Sequence, residues 1–302
     1  MKILVTGSNG LVGSHFTQNY HPDSESTLLT PSMDELDITN QKLVEDFLNL
    51  NNIEVVIHFA AFTDVTAAEQ QRNNKSAPCW MVNVEGTTNL IRFLNPETFF
   101  VTISTDVVFS GSKKNPGPYS ENETPEENPD LLSWYGWTKR EAERRILNNI
   151  KNFAILRISN PVRSNYESKS DYVRKILNLY DNGKLYPMFN DQYLTLTYIN
   201  EVTTTLNILL QKRLTGIFHT SSSNLYTPFK LANFLIEKTR GKKNVVKPIS
   251  INSFLKDNPS RYPQFGGLKV EQTEKKLGIK FRSWEEIIED LAKQLSALAG
   301  QG

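Results

Sequence analysis

Short apolar runs, rich in β-branched and aromatic residues, alternate with longer segments of helical period through the first half of the chain. The apolar runs cover residues 3–6, 27–30, 54–59, 99–104 and 153–158. The helical periods between them cover residues 11–20, 81–94 and 134–149. Strands joined by crossover helices pair in parallel, and the helices cover both faces of the sheet. The pattern predicts an α/β fold with a Rossmann-type, doubly wound parallel sheet.

The pattern changes after about residue 160, where the regular alternation gives way to scattered helices and a loop rich in Pro, Gly and Asn. Helical periods cover residues 170–180, 201–211, 228–239 and 284–298, and the loop covers residues 181–192. We therefore predict a Rossmann domain over residues 1–160. A smaller C-terminal lobe over residues 161–302 is expected to interleave with late sheet strands and helices.

The composition is that of an ordinary folded protein, with 38% hydrophobic residues, 22% charged residues and a formal net charge of +1 in 302 residues. The short basic pairs lie in loop-like sequence and form no clustered basic face, so we expect no nucleic-acid partner. No apolar run approaches the roughly 18 residues of a membrane span. Cys79 is the only cysteine, which excludes an intrachain disulfide, and we expect a cytoplasmic protein. The four histidines lack metal-ligand spacing, so we predict no metal site.

Three glycines, Gly7, Gly10 and Gly13, follow the first predicted strand and open the first predicted helix. In such a turn the first glycine permits the tight bend, the second lets the backbone approach a phosphate, and the third allows close helix packing. The N-terminus of the helix adds free N–H groups and positive dipole charge. Because this order stands at the head of a βαβ series, it predicts a dinucleotide site in the first domain.

The end of the second predicted strand normally distinguishes the two nicotinamide dinucleotides. An acid there binds the ribose hydroxyl of NAD, whereas an Arg accommodates the 2′-phosphate of NADP. Residues 29–33, at the end of this strand, include neither an acid nor an Arg. Asp34 and Glu35 lie slightly beyond this point in the sequence, where they would repel a phosphate. The cofactor is therefore expected to be NAD or NADP, with both open.

Tyr135 and Lys139 lie four residues apart at the start of a predicted helix, which puts the phenol and the ammonium on one face. Bringing a Tyr from a pKa near 10 to neutrality takes roughly 3 units, or about 4 kcal/mol. One ammonium about 4 Å away contributes about 4 kcal/mol at an effective dielectric constant near 20. The pair can therefore act together, although this spacing alone is common on surface helices.

The predicted strand at residues 99–104 supplies the context, because it ends in the hydroxyls of Ser104 and Thr105. The carboxyl ends of parallel strands face the ligand crevice, where a hydroxyl can hydrogen-bond a reacting carbonyl. For Ser104, a role in capping the end of the strand is an equal alternative. Two other polar residues have structural interpretations: His58 as a satisfied core residue, and Asn83 as a helix cap.

Several segments together carry a resemblance to a known family. Over nearly its whole length the chain resembles dTDP-4-dehydrorhamnose reductases and related sugar-nucleotide reductases of the extended short-chain dehydrogenase/reductase superfamily. The matching segments are ELDITN (35–40), VIHFAAFT (56–63), VNVEGT (82–87), STDVVF (104–109), YGWTK (135–139), Arg261 and KLGI (276–279).

This resemblance implies an NAD(P)H-dependent oxidoreductase of deoxysugar biosynthesis that reduces a 4-keto-6-deoxy-sugar nucleotide, and it implies a role for each matching position. The implied catalytic residues are Thr105, Tyr135 and Lys139, where Tyr135 is the acid and Lys139 holds the nicotinamide ribose and lowers the pKa of Tyr135. The implied cofactor-binding residues are Gly7, Asn9, Gly10, Leu11, Val12, Gly13, Asp37, Ile38, Ala60, Ala61, Thr63, Tyr135 and Lys139. The implied substrate-binding residues are Ser104, Asp106, Val107, Asn160 and Arg261. Relatives of this kind also make a homodimer possible.

The chain departs from the reductases at three positions on the expected substrate side. Val107 stands where they usually have Tyr, Thr66 where they have Asp, and Asn160 where they have Trp. The residues around Asn160 are more similar to sugar-nucleotide epimerases. An NAD-dependent epimerase and a non-catalytic, nucleotide-binding regulatory subunit are therefore the alternatives to a reductase.

Overall fold

The computed structural model describes residues 1–22, 24–166, 168, 170–256 and 262–299. The first part of the chain contains β1 (Lys2–Thr6), α1 (Leu11–Asn19), β2 (Thr27–Leu29), α2 (Gln41–Asn51), β3 (Val55–His58), α3 (Val65–Glu69), α4 (Pro78–Trp80), a π-helical turn (Met81–Gly86), α5 (Thr87–Arg92), β4 (Phe99–Thr105), α6 (Trp134–Asn149) and β5 (Phe153–Ile158). The second part contains β6 (Pro161–Val162), α7 (Tyr172–Asp181), β7 (Met188–Phe189), β8 (Thr197–Tyr198), α8 (Ile199–Lys212), β9 (Gly216–Thr220), α9 (Pro228–Arg240), β10 (Pro248–Ile249), α10 (Asn252–Leu255), α11 (Glu271–Leu277) and α12 (Trp284–Ala299).

Six strands form the central sheet in the order β2-β1-β3-β4-β5-β9. Strand β1 pairs in parallel with β2 and β3, and β3 pairs in parallel with β4. All four residues of β3 are buried, as expected of a strand covered by helices on both faces. The predicted α/β fold with a Rossmann-type parallel sheet is confirmed.

The strand order reverses between β1 and β3, because the chain runs from β1 to β2 on one side and continues from β3 on the other. In open α/β sheets the ligand crevice lies outside the carboxyl ends of the strands at such a reversal. The segment that begins at Gly7 follows β1, and the segment that begins at Phe59 follows β3. The fold therefore places the predicted glycine turn at the expected ligand crevice.

The helix predicted over residues 134–149 is α6, with the same bounds. Helix α2 was not predicted. Its N-cap residue Asn40 accepts hydrogen bonds from the N–H groups of Lys42 and Leu43, and its face turned to the interior buries Val44 and Leu48. An Asn ahead of apolar residues at helical spacing was thus the available signal.

The helix predicted over residues 81–94 is regular only in its second half. Its first half, Met81–Gly86, is a π-helical turn, and α5 follows as Thr87–Arg92. A π-helical turn inserts one extra residue and is frequent at functional sites. Apolar periodicity does not reveal such a turn, because the apolar face continues through it.

The described chain forms two compact units, each assembled from separate segments. The first comprises residues 1–109, 124–157 and 203–218, and the second comprises residues 110–123, 158–202 and 219–302. In the first unit, Leu4, Val56, Phe100 and Ile155 belong to a core cluster of buried residues. In the second unit, the core cluster joins residues of α7, α9 and α12. Among the described helices, none combines the length and the apolar character that crossing a bilayer would require.

Candidate active site

The segment after β1 can be built only with glycine at two positions. Gly7 has φ +68°, and a Cβ atom there would lie 2.4 Å from the backbone N of Ala60. A Cβ atom at Gly13 would lie 2.3 Å from the carbonyl oxygen of Gly7. Real Cβ atoms essentially never come this close to backbone atoms, so Gly7 permits the turn against the β3 loop and Gly13 lets α1 pack on it.

Helix α1 begins directly after this turn. Its N-cap residue is Gly10, which has no side chain, and the N–H of Gly10 donates to the carbonyl of Gly7 at 3.0 Å. The N-terminus of a helix, with its N–H groups and positive dipole end, is an anion site that suits a pyrophosphate. The residues present therefore fit a dinucleotide.

A cleft of about 380 Å³ opens at this turn. It is lined by Thr6, Gly7, Ser8, Asn9, Gly10, Pro31, Ser32, Met33, Leu36, Asp37, Ile38, Phe59, Ala60, Ala61, Phe62 and Val82. Seven predicted cofactor residues are in this lining: Gly7, Asn9, Gly10, Asp37, Ile38, Ala60 and Ala61. Leu11, Val12 and Gly13 belong to the first turn of α1, and Thr63 lies one residue beyond the lining residue Phe62. The lining residues Pro31, Ser32, Met33 and Leu36 were not named as cofactor contacts, although residues 29–33 were expected to mark the cofactor side of the second strand.

The loop after β2 contains a Ser–Glu pair on the cleft. The backbone N–H of Ser32 donates to Glu35 Oε2 at 2.7 Å, and the N–H of Glu35 lies 3.3 Å from Ser32 Oγ. Hydrogen bonds from Ser32 hold the pKa of Glu35 below its usual value, so its carboxylate is charged. No Lys or Arg belongs to the lining of this cleft within the described part of the chain.

Tyr135 and Lys139 lie in the first turns of α6, whose start is fixed by its N-cap. Ser133 Oγ accepts a hydrogen bond from the N–H of Gly136 at 3.1 Å. The hydroxyl of Thr105, at the end of β4, donates to Asp106 Oδ1 at 3.2 Å, and its influence on Tyr135 lowers the pKa of that phenol. Lys139 is only 6% exposed. The structure thus brings the three predicted catalytic residues into one structural unit.

The pKa values of the pair follow from burial. Burial raises the pKa of Tyr135 well above its usual value, the carboxylate of Asp106 raises it further, and the neighbouring hydroxyl of Thr105 opposes both. We expected Lys139 to lower this pKa, but its charge is not among these influences, and the net change is upward. Tyr135 therefore keeps its proton across the physiological range, as a proton donor must. Burial also lowers the pKa of Lys139 to about 8, against the opposing carboxylate of Glu143.

Ser104, for which we predicted a substrate contact, has a partner within the protein, and its substrate role stays a prediction. Its hydroxyl donates to Glu143 Oε1 at 2.5 Å. The same carboxylate forms a bidentate pair with Arg157, with Nε–Oε1 at 2.9 Å and Nη2–Oε2 at 2.7 Å. Arg157 is fully buried and Glu143 is 2% exposed. The hydroxyl of Ser104 thus adds a third contact to a buried ion pair between α6 and β5, and its hydrogen is donated to Glu143.

His58 is neutral and fully hydrogen-bonded. Thr87 Oγ1 donates to the carbonyl of Asn83 at 2.8 Å, so His58 Nε2, 3.1 Å away, must donate to Thr87. Nδ1 of the ring then accepts from Thr6 Oγ1 at 2.7 Å. Burial, assisted by the charge of Lys139, lowers the pKa of His58 to about 3. His58 is the satisfied core residue that we predicted.

Asn83 connects the β3 loop to the catalytic helix rather than capping a helix. It lies inside the π-helical turn and is 1% exposed. Its Oδ1 accepts from the N–H of Phe62 at 2.8 Å, and its Nδ2 lies 3.1 Å from the carbonyl of Phe62 and 2.9 Å from Thr138 Oγ1. The π-helical turn thus directs the Asn83 amide to Phe62, which lines the cleft, and to Thr138, which precedes Lys139.

The remaining predicted substrate residues are placed as follows. Asp106 is buried and Val107 partly buried in a 3-10 turn after β4, and a Cβ atom at Gly136 would lie 2.2 Å from the carbonyl oxygen of Val107. In the second unit, Asn160 has φ +45°, and its Nδ2 lies 3.4 Å from the carbonyl of Thr195. Arg261 lies outside the described residues. The substrate roles of these four residues stay predictions.

A glycine-bounded dinucleotide cleft, together with a half-buried Tyr135, a buried Lys139 and the Thr105 hydroxyl, all in one unit, defines an NAD(P)-dependent oxidoreductase of the extended short-chain dehydrogenase/reductase type. Residues 1–297 match the protein family described as RmlD substrate binding domain. The chain belongs to this family.

Relatives across the family share the whole length of the chain. A protein described as "Probable low-salt glycan biosynthesis reductase Agl14", from Haloferax volcanii, is 28% identical over 92% of this chain and 93% of its own. The β subunit of methionine adenosyltransferase 2 from Pongo abelii is 25% identical over 97% of this chain and 90% of its own. The crystal structure of a dTDP-4-dehydrorhamnose reductase from Clostridium acetobutylicum superimposes with a TM-score of 0.84 and 26% identity, covering 98% of this chain and 100% of that one.

Proposed function

We propose that the protein uses NADH or NADPH to reduce the 4-keto group of a 4-keto-6-deoxy-sugar nucleotide resembling dTDP-4-dehydrorhamnose. The grouping of Thr105, at the end of β4, with Tyr135 and the buried Lys139 on α6 is the observation that carries the proposal. The relatives named as reductases support the same reaction. The product would be a 6-deoxyhexose nucleotide.

Each of the three side chains has one task in this reaction. The bound dinucleotide, in its reduced form, supplies a hydride to the carbonyl carbon. Tyr135 donates its proton to the carbonyl oxygen, which becomes the hydroxyl of the product. Thr105 orients that oxygen by hydrogen bonding, and Lys139 supplies a cation for the ribose of the nicotinamide. The raised pKa of Tyr135 keeps the proton in place until charge develops on the substrate oxygen.

The test is a coupled measurement of cofactor oxidation and of the sugar product. Purified protein is mixed with dTDP-4-keto-6-deoxyhexose and either NADH or NADPH, and the loss of near-ultraviolet absorbance is followed. We expect one cofactor oxidised for each 6-deoxyhexose nucleotide formed. Tightly bound cofactor that never exchanges, together with a change in sugar stereochemistry, would instead identify an epimerase.

A regulatory subunit is the second candidate, and the similarity to the β subunit of methionine adenosyltransferase 2 favours it. Such a protein needs the dinucleotide cleft but no proton donor, so the presence of Thr105, Tyr135 and Lys139 together weighs against it. Binding to a methionine adenosyltransferase catalytic subunit, without oxidation of either cofactor by the sugar nucleotide, would establish this alternative.

We also propose a homodimer located in the cytoplasm. The family resemblance supports the dimer, and the single cysteine of the sequence supports the reducing compartment. Light scattering of the purified protein should give twice the mass of one chain, and the mass of one chain would contradict the dimer.

Turnover is expected to fall as the pH rises through about 8. Burial lowers the pKa of Lys139 to about 8, so the ammonium loses its charge above that pH. The profile of kcat/KM reports groups of the free enzyme and is therefore the quantity to measure. Because Arg stays charged, Lys139→Arg should shift the alkaline limb to higher pH even if its maximum is lower. An alkaline limb at the same pH in both proteins would contradict the assignment to Lys139.

Glu35→Gln is expected to raise the ratio of kcat/KM for NADPH to kcat/KM for NADH. The substitution removes a negative charge from the loop after β2, where the 2′-phosphate of NADPH would lie. Glu45→Gln, on α2, serves as the control for removing one negative charge elsewhere on the same unit. An unchanged ratio in Glu35→Gln would show that Glu35 does not act on the cofactor.

A further inference from the structure

The start of α6 determines where the phenol of Tyr135 lies, because Tyr135 is the second residue of the helix. The first N–H groups of a helix have no partner within it and need other acceptors. Ser133 Oγ accepts from Gly136. The N–H of Trp134, one residue before the catalytic Tyr, donates to Glu69 Oε2 at 2.9 Å. A carboxylate from a distant part of the sequence thus binds the first turn of the catalytic helix.

Glu69 does not act alone. It is the last residue of α3, and its Oε1 lies 2.5 Å from Arg72 Nε. Arg72 in turn donates to two carbonyls of the segment that leads into α6. Its Nη1 lies 3.3 Å from the carbonyl of Pro129, and its Nη2 lies 2.7 Å from the carbonyl of Leu132. Together the two side chains contact three backbone groups within six residues, from Pro129 to Trp134.

The pair of Glu69 and Arg72, here called the clamp, also has a favourable electrostatic interaction with α6. A negative charge at the N-terminus of a helix interacts favourably with the helix dipole. The guanidinium binds two carbonyls at once through its planar fork, which a Lys ammonium does not reproduce. Both side chains are about a quarter exposed. We therefore expect the pair mainly to hold the backbone in position, rather than to stabilise the fold by burying surface.

We propose that Glu69 and Arg72 are positioning residues that fix the first turn of α6 and thereby place Tyr135 for proton donation. This inference rests on the proposed function. A displacement of about 1 Å in a reacting group can cost a factor on the order of 100 in rate. Loosening the clamp should therefore lower kcat while the cleft formed by the glycine turn still binds the dinucleotide.

The experiment compares Glu69→Ala, Glu69→Gln and Arg72→Lys with wild type, and Asp46→Asn is the matched control. Asp46 forms an exposed pair with Lys42 on α2 of the same unit, away from α6. Each protein is assayed for kcat and for the KM of the cofactor. Hydrogen–deuterium exchange is measured on the peptide that spans residues 130–138, and it does not depend on turnover.

We expect Glu69→Ala to lose roughly 10-fold to 100-fold in kcat, with little change in the KM of the cofactor. Exchange at Trp134 should accelerate. Glu69→Gln should recover part of kcat, because its amide oxygen still accepts the N–H of Trp134, whereas its NH2 group cannot accept from Arg72 Nε. Arg72→Lys should lose kcat like Glu69→Ala, because it keeps the charge and loses the fork. Asp46→Asn should match wild type in both measurements.

Three outcomes would overturn the proposal: wild-type kcat in Glu69→Ala, equal impairment in Glu69→Gln and Glu69→Ala, or unchanged exchange at residues 130–138. If Glu69→Ala fails to fold, Glu69→Gln is compared with Arg72→Lys instead. Wild-type kcat in Arg72→Lys, or unchanged exchange at residues 130–138 in both variants, would then overturn the proposal. If wild type itself oxidises no cofactor, the proposed reduction fails, and the exchange measurement alone then tests whether the clamp holds α6.

Discussion

Tyr135→Phe is expected to lower kcat by a factor on the order of 10² to 10⁴, the usual contribution of a general acid. The substitution removes the only atom that carries the transferred proton and keeps the ring in the cluster that it shares with Trp80 and Trp134. Because the cleft at the glycine turn is untouched, the affinity for the dinucleotide should change little. Steady-state kinetics and a fluorescence titration with the reduced cofactor measure the two quantities separately.

Tyr20→Phe is the matched control, because the ring of Tyr20 stacks on Phe16 in α1 and the same hydroxyl is removed there. Its kcat should equal that of wild type. A Tyr135→Phe protein that keeps more than about half of the wild-type kcat would mean that another group donates the proton. If Tyr135→Phe abolished turnover but the protein kept its activity in the cell, the regulatory-subunit hypothesis would be favoured.

Glu143→Ala is expected to destabilise the protein by about 3–5 kcal/mol, the usual cost of leaving one partner of a buried ion pair alone. Arg157 would remain fully buried with its charge uncompensated, and Ser104 would lose its acceptor. The same change would remove the carboxylate that opposes the burial of Lys139. Chemical unfolding followed by tryptophan fluorescence measures the loss.

Two further variants make the prediction about Glu143 specific. The double substitution Glu143→Met with Arg157→Met should recover much of the stability, because replacing both charges leaves no charge unpaired. Asp46→Asn, in an exposed pair of the same unit, should change the unfolding midpoint far less. Equal effects of Glu143→Ala and Asp46→Asn would show that the buried pair contributes no more than a surface pair.

Local patterns were enough to predict the elements that position the site. The apolar strands and the glycine turn are encoded within about ten residues each, and α6 was predicted with its bounds because both its cap and its periodicity are local. The π-helical geometry of Met81–Gly86 could not be predicted from local patterns. Its extra residue is stabilised by the amide of Asn83, whose partners Phe62 and Thr138 are 21 and 55 residues away.

The partners of the site residues could be predicted only in part, because most of them are distant in sequence. Ser104 ends a strand, as a substrate contact would, yet its acceptor Glu143 lies 39 residues later. That carboxylate was within reach of sequence reasoning, since it follows Lys139 by four residues on the same helix face. The direction in which the pKa of Tyr135 changes could not be predicted for a different reason. Burial is a property of the folded chain, and it is the largest influence on this pKa.

The position of the label after one turnover with deuterated cofactor tests the central claim most directly. Reduced cofactor carrying deuterium at both hydrogen positions of nicotinamide C4 is mixed with dTDP-4-keto-6-deoxyhexose, and the sugar nucleotide is examined by mass spectrometry and NMR. The reductase predicts deuterium bonded to C4 of the hexose with wild type, at a rate that Tyr135→Phe strongly reduces. A sugar nucleotide without deuterium, in the presence of protein that binds the cofactor, would contradict the assignment.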